Sequence, residues 1–171
     1  MERPDLPALS PGMIRVALLV PLSGQFSDIG KGMLNAAQMA IFDAADESLQ
    51  LIPYDTGGSP KTAKSAAERA VANEVALIVG PLLSVSTRAV DSVASAANVP
   101  VISFSSDRKV AGNGVYVIGF APETEVERVM SYAADNGAKR FFVLGPRDSY
   151  GDTVAAEAKR VAKEKGLDHR R

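Results

Sequence analysis

The sequence contains no cysteine, no tryptophan and a single histidine, His169. Without cysteine there is no disulfide, no thiolate nucleophile, no zinc knuckle, no iron–sulfur ligation and no lipid attachment through a thiol of this chain. The one imidazole lies in the terminal "GLDHRR", where fraying is expected, so no Ser/His/Asp constellation can be built. No GxSxG elbow and no HExxH metal helix occur, and no GxGxxG marks a dinucleotide site. The expectation is a protein that is not an enzyme and has no cofactor or metal. A dominant charge is missing too. Nineteen basic residues face 20 acidic ones, which leaves no electrostatic footprint for nucleic acid or for an anionic membrane. Nor is there a long apolar run. The lead-in "MERPDLPALSPG" holds three prolines and reads as a linker over residues 1–13, neither signal peptide nor membrane anchor.

What is present is the balance of a soluble globular protein, 46% hydrophobic and 23% charged over 171 residues, room for one ordinary domain but not two complete large ones. Two periodicities alternate. Near-continuous apolar runs at 14–20, 49–54, 75–80, 99–104, 115–119 and 140–145 read as strands buried on both faces. Between most of them lie amphipathic helices. The first has a stripe of Met33, Ala36, Ala37, Ala40, Ile41 and Ala44. The second is capped by Ser59, starts at Pro60 and turns Ala63, Ala66, Ala67, Ala70 and Val71 inward. A third stripe is Val85, Ala89, Val93, Ala96 and Ala97; a fourth runs through Val126, Val129, Met130, Ala133 and Ala134, and a fifth through Val154, Ala158, Val161 and Ala162. Strand–helix alternation at this spacing gives an α/β fold, a Rossmann-like parallel sheet flanked by helices. "KVAGNG", 109–114, joins two strands without a helix, and "GFAPETE", 119–125, reads as a crossing between two lobes. The expected organisation is a first lobe over 14–119 and an incomplete second one over 120–171.

Open α/β sheets bind ligands at the carboxyl ends of their strands, so the loops there carry the functional argument. "PLSGQFSDIGKG", 21–32, invites a phosphate-loop reading but has the wrong glycine spacing, and Gly32 follows the lysine where a hydroxyl should bind magnesium. The remaining readings are a glycine-rich turn, or a turn whose Ser23 and Gly24 face a cleft. In "IVGPLLSVSTRA", 78–89, Ser84 or Ser86 caps the third helix, and the same helix end suits a carboxylate. "SFSSDRKVAG", 103–112, gathers Ser103, Ser105, Ser106 and Asp107 at a strand end; Asp107 is either a ligand group or a turn residue paired with Arg108 or Lys109. In "GPRDSYGDT", 145–153, Ser149 or Asp152 can cap, and Tyr150 either reaches across a cleft or covers the helix end. Glu123 and Glu125 at a helix start suit its dipole and need no chemistry.

Four of these stretches carry a family resemblance. "IRVALLVPLSGQFSDIGKGMLNAAQMAIFDA", "YDTGGSPKTAKSAAERAV", "LIVGPLLSVST" and "VPVISFSSD" resemble the type I periplasmic binding-protein superfamily, in the branch of the leucine/isoleucine/valine receptors of ABC transporters. The combination of "PLSG", "YDT", "IVGPLL" and "GFAPETE" is most similar to the penicillin-binding-protein activators, envelope lipoproteins that stimulate a peptidoglycan synthase. The resemblance runs from about Ile14 to Gly166. It implies two lobes with a ligand cleft between them, the loops at Ser84 and at Ser105–Asp107 holding a ligand's carboxylate and ammonium, and Tyr150 closing from the second lobe. Asp107 stands where the receptors tend to have a neutral hydroxyl, and Ile29 where they often have an aromatic residue. The expected function is a non-enzymatic periplasmic or cell-envelope domain of the activator type, the alternative an ABC-transporter receptor for an amino acid or small carboxylate. The second lobe is expected to stop after one strand and two helices, with an exposed edge at "RFFVLG".

Overall fold

The structure, a computed structural model, describes residues 10–147 and 149–170, without the side chains of residues 149 and 168–170. Two compact units meet between Gly119 and Phe120. The first contains β1 (Ile14–Val20), α1 (Ser27–Ala44), β2 (Leu49–Asp55), α2 (Pro60–Ala72), β3 (Leu77–Val79), α3 (Ser84–Ala96), β4 (Val101–Ser103) and β5 (Val115–Val117). Its five strands form one parallel sheet in the order β2-β1-β3-β4-β5. A short 3-10 turn, Arg108–Val110, replaces the helix between β4 and β5, as the "KVAGNG" stretch suggested.

β1 lies inside the sheet, and Ala17, Leu18, Leu19 and Val20 are all buried. β2 is an edge strand, which explains how it tolerates Pro53, a residue with no N–H to give to a neighbour. Of β2 only Tyr54 is buried, under α2, and its hydroxyl accepts from Asn73 Nδ2 at 2.7 Å. α2 follows the sequence signals closely. Ser59 is its N-cap and accepts from the Thr62 N–H at 3.3 Å, Pro60 is the first helical residue, and Ala63, Ala66, Ala67 and Ala70 are fully buried. With no bulk beyond Cβ, these alanines let the helix lie close to Ala17, Leu19 and Ile78.

The other two helices of this unit depart from their expected stripes. α3 buries Ser86, Thr87, Val90 and Ala94, whereas Val85 is 48% exposed, so its inner face is turned away from the expected one. A periodicity that counts only apolar side chains misses a helix whose first turn packs hydroxyls against polar strand ends. On α1, Gly30 is the buried residue; Met33, Ala37 and Ile41 are half-buried, and Ala36, Ala40 and Ala44 are exposed. α1 rests on β1 and β2, while Tyr116 and Ile118 at the β5 edge stay exposed.

The second unit contains α4 (Pro122–Asp135), β6 (Arg140–Phe142), α5 (Ser149–Lys165) and β7 (Asp168–Arg170). Pro122 opens α4, and Met130 packs with Ala158, Val161 and Ala162 of α5 over Phe141 and Leu167. The expected fraying of the terminal "DHRR" is corrected here: residues 168–170 form β7 and pair in parallel with β6. The unit therefore has two strands, not one, and one edge of β6 is covered by β7. The side chain of His169 lies outside the described residues, as does that of Ser149, one of the two expected caps of α5.

Candidate functional site

In the first sheet the chain runs from β1 outward to β2, then returns to the other side of β1 with β3. The loops leaving β1 and β3 therefore separate in opposite directions, which opens a crevice at the carboxyl ends of the strands. Three loops border it: 21–26 after β1, 80–83 after β3 and 104–107 after β4. Ser23, Gly24, Ser84, Ser105, Ser106 and Asp107 all lie on these loops or on the first residue of α3. Tyr150 belongs to the second unit instead.

The β1 loop is tied down by a residue that sequence reasoning assigned no role. Asp55 Oδ1 accepts the N–H of Leu22 at 2.8 Å, of Ser23 at 3.2 Å and of Gly57 at 2.7 Å. Partial burial pushes its carboxyl up, but the Ser23 hydroxyl and the Gly57, Leu22 and Ser23 amides together outweigh this and hold it below the usual carboxylate range. Gly24, at φ +76°, is in the left-handed region, and a Cβ there would stand 3.1 Å from the Gly57 carbonyl oxygen. The Ser23 amide and hydroxyl are thus turned to Asp55. The signal for this was present in "YDTGG", an acidic residue at a strand end before two glycines, but Leu22 and Ser23, its partners in the other loop, lie more than 30 residues back.

The β3 loop enters through a cis Gly80–Pro81 bond; Gly80 has φ +104°, and a side chain there would collide with the Leu19 carbonyl of β1. α3 begins at Ser84, and its N-cap is Leu83, with no side-chain capping bond. This corrects the expectation that Ser84 or Ser86 caps the helix. Ser84 is already inside the first turn, and Ser86 is 1% exposed with no partner for its hydroxyl. Thr87, one residue further, turns its hydroxyl back to the Leu83 carbonyl at 3.0 Å.

The β4 loop is held from beneath by the same helix. Thr87 Oγ1 lies 2.8 Å from Ser103 Oγ, which donates to the Pro81 carbonyl at 3.0 Å or to Thr87 and accepts from the Ser105 N–H at 3.1 Å. Ser105 is buried, and its hydroxyl accepts from the Asp107 N–H at 3.0 Å. Asp107 accepts from the Lys109 N–H at 3.0 Å and pairs with Arg88 of α3 at 2.6 Å. Its cation is therefore Arg88, not the side chain of Arg108 or Lys109, and Arg88 was not singled out from the sequence. Ser106 is exposed.

Tyr150, half-exposed in the first turn of α5, lines an open apolar groove of about 330 Å³ with Val129, Phe142 and Leu144. Among the described residues no three acidic or imidazole groups converge where a metal could bind. The strand-end cluster offers hydroxyls, amides and a neutralised acid, which suits recognition by hydrogen bonds.

Comparison with known proteins agrees with this geometry. The family described as periplasmic binding protein matches residues 13–169. An uncharacterized protein of Rickettsia prowazekii is 28% identical over 142 residues, 83% of this chain and 38% of its own length. The penicillin-binding protein activator LpoA of Photobacterium profundum is 27% identical over 142 residues, 81% of this chain and 23% of its own. An ABC-transporter solute-binding protein of Rhodopseudomonas palustris, solved with 3,4-dihydroxybenzoic acid, superposes with a TM-score of 0.82 at 22% identity, covering 92% of this chain and 46% of that one. The leucine-binding protein LivK of Thermotoga maritima gives 0.76 at 23% identity, covering 93% and 48%. The chain thus spans less than half the length of these relatives. The sheet order, the strand-end crevice and a sequence match along nearly the whole chain lead to one family: the chain belongs to the type I periplasmic binding proteins.

Proposed function

We propose that this chain is the binding-protein-like domain of a non-enzymatic cell-envelope regulator of the penicillin-binding-protein activator type, with a peptidoglycan synthase as its partner. Residues 14–119 form the first lobe in this reading, and residues 120–171 open the second. The observation that carries it is the internal use of the strand-end polar groups. Ser23 is bound to Asp55, Ser105 to the Asp107 amide, and Asp107 to Arg88 and the Lys109 amide. A receptor for an amino acid needs a free acceptor for the ligand's ammonium, and here the acid in the matching loop already holds a guanidinium. The sequence match to an activator supports the same reading. The periplasm or envelope is the location the family implies, and no helix among the described residues is long and apolar enough to cross a membrane. The test is binding of the purified chain to purified bifunctional peptidoglycan synthases by surface plasmon resonance. Saturable binding with a rise in glycan polymerisation is the expected result; absence of binding to every synthase of the source organism sinks the proposal.

A second reading is favoured by α3, whose first turn has neither a side-chain cap nor an acidic residue. Its free amides and the Ser84 hydroxyl suit a small carboxylate, and two of the similar solved receptors hold 3,4-dihydroxybenzoic acid and 4-hydroxybenzoate. A receptor gains about 2.7 kcal/mol of stability at a ligand concentration one hundred times Kd. Thermal shifts with leucine and 4-hydroxybenzoate separate the two readings.

A further inference from the structure

Asp55 is the residue through which two of the crevice loops are joined. One oxygen of its carboxylate collects N–H groups from Leu22 and Ser23 after β1 and from Gly57 after β2, and the Ser23 hydroxyl joins them. The bond to Gly57 alone is a local turn closed by an aspartate side chain, common wherever a strand ends. The bonds to Leu22 and Ser23 cross 33 and 32 residues of sequence and belong to the tertiary structure. Converging amides in a glycine-rich strand-to-helix loop are the arrangement that elsewhere receives a phosphate or carboxylate from solution. In this chain the anion in the cradle is covalently attached.

We propose that Asp55 is a built-in anion that fixes the β1–α1 loop in shape and closes it to external anions, a positioning residue for the Ser23–Gly24 wall of the crevice. Three features support this. The amides of Leu22, Ser23 and Gly57 point at one acceptor and would be left facing each other without it. Gly24 lies beside the Gly57 carbonyl, where an added Cβ would stand 3.1 Å from its oxygen, so the two loops bridged by the carboxylate are also in close approach. The carboxyl is also held below its ordinary range, the mark of an acid stabilised as an anion where it sits. That the loop is a wall of a binding surface rests on the family reading; the loop chemistry does not.

The experiment is residue-resolved amide hydrogen exchange on the full chain. Asp55→Ala is expected to speed exchange at Leu22, Ser23 and Gly57 by about tenfold or more, the scale of losing a hydrogen bond to a charged group. Core amides such as those of Leu19 and Ala66 report the stability of the unit as a whole and speed by one common factor, smaller than that at the three amides. Added formate, small enough to enter the vacated place, slows the three amides again, while chloride at the same ionic strength does not. Asp55→Asn, which keeps an acceptor oxygen but no charge, falls between wild type and Asp55→Ala. Unchanged exchange at the three amides in Asp55→Ala overturns the proposal, as does loosening spread evenly through the unit without rescue by formate. If Asp55→Ala does not fold, Asp55→Asn decides: rates equal to wild type mean that the charge is not needed and the proposal is wrong. No synthase and no solute enters these readouts, so their failure and the failure of the proposed function are separate results.

Discussion

The hydroxyl pair beneath the β4 loop gives a quantitative test of how the crevice is held. Thr87 and Ser103 own two hydroxyl hydrogens but make three contacts: with each other at 2.8 Å, and with the carbonyls of Leu83 and Pro81 at 3.0 Å each. Both carbonyls also accept a backbone N–H, from Thr87 and from Phe104, so neither is orphaned when a hydroxyl is lost. Thr87→Val therefore removes one net hydrogen bond at constant shape and costs about 1 kcal/mol. Ser103→Ala differs in one respect, because Ser103 Oγ is the acceptor for the buried Ser105 N–H at 3.1 Å. Leaving that amide unpaired adds roughly 1–3 kcal/mol, so the total for Ser103→Ala is about 2–4 kcal/mol on the same scale. The double variant should cost about the sum of the singles, since either hydroxyl left alone still has a carbonyl to donate to and each variant therefore removes one donated bond. Hydrogen exchange at the core amides of β1 and β3 reports the stability of the first unit alone. If Thr87→Val costs as much as Ser103→Ala, the Ser105 amide is not what the network protects and the reasoning fails.

Ser59→Ala removes the cap on the Thr62 N–H and should cost about 1 kcal/mol in the same measurement; a loss below a few tenths would mean that Pro60 alone sets the helix start. Ser84→Ala, by contrast, should stay within about 0.5 kcal/mol of wild type, because Ser84 makes no capping bond. A larger loss would put the helix start one residue later than described. The acid dependence of the first unit should bear the signature of Asp55. Its folded pKa is depressed, so its contribution is fully present above the unfolded value of about 3.9 and is lost as pH falls through the folded value. The stability difference between wild type and Asp55→Asn should therefore be constant from about pH 7 to pH 5 and shrink below about pH 4; a difference independent of pH down to acid unfolding refutes the assignment.

The parts of the fold that were legible in the sequence are those set by local signals. Ser59, Pro60 and the four alanines specify α2 within one segment. The parts that were not legible depend on residues distant in sequence. Asp55 reaches back 33 residues and Arg88 forward 19, and in neither case does the local pattern distinguish a partnered acid or base from a solvated one. α3 was misread because Ser86 and Thr87 look solvent-facing by composition and are buried by the strand ends they meet. β7 was missed because "DHR" has no apolar alternation; what makes it a strand is β6 beside it.

The two helices that start at the crevice treat their surroundings differently, and the competing functions separate on that difference. The loop before α1 has its amides filled by Asp55, and α1 adds Asp28 in its first turn, so negative charge is already placed at that end. α3 has no acid in its first turn, no side-chain cap, and one buried hydroxyl, Ser86, without a partner. An anionic solute is therefore repelled by the first helix end and attracted by the second. A receptor of this geometry should bind 4-hydroxybenzoate or an amino acid with an affinity that falls sharply in Ser84→Ala and barely changes in Asp55→Asn. A synthase activator should show neither dependence on solute, and its partner affinity should survive Ser84→Ala. Because Ser84 is not a cap, a loss of affinity in that variant cannot be charged to an unfolded helix, and the comparison measures recognition at α3 alone.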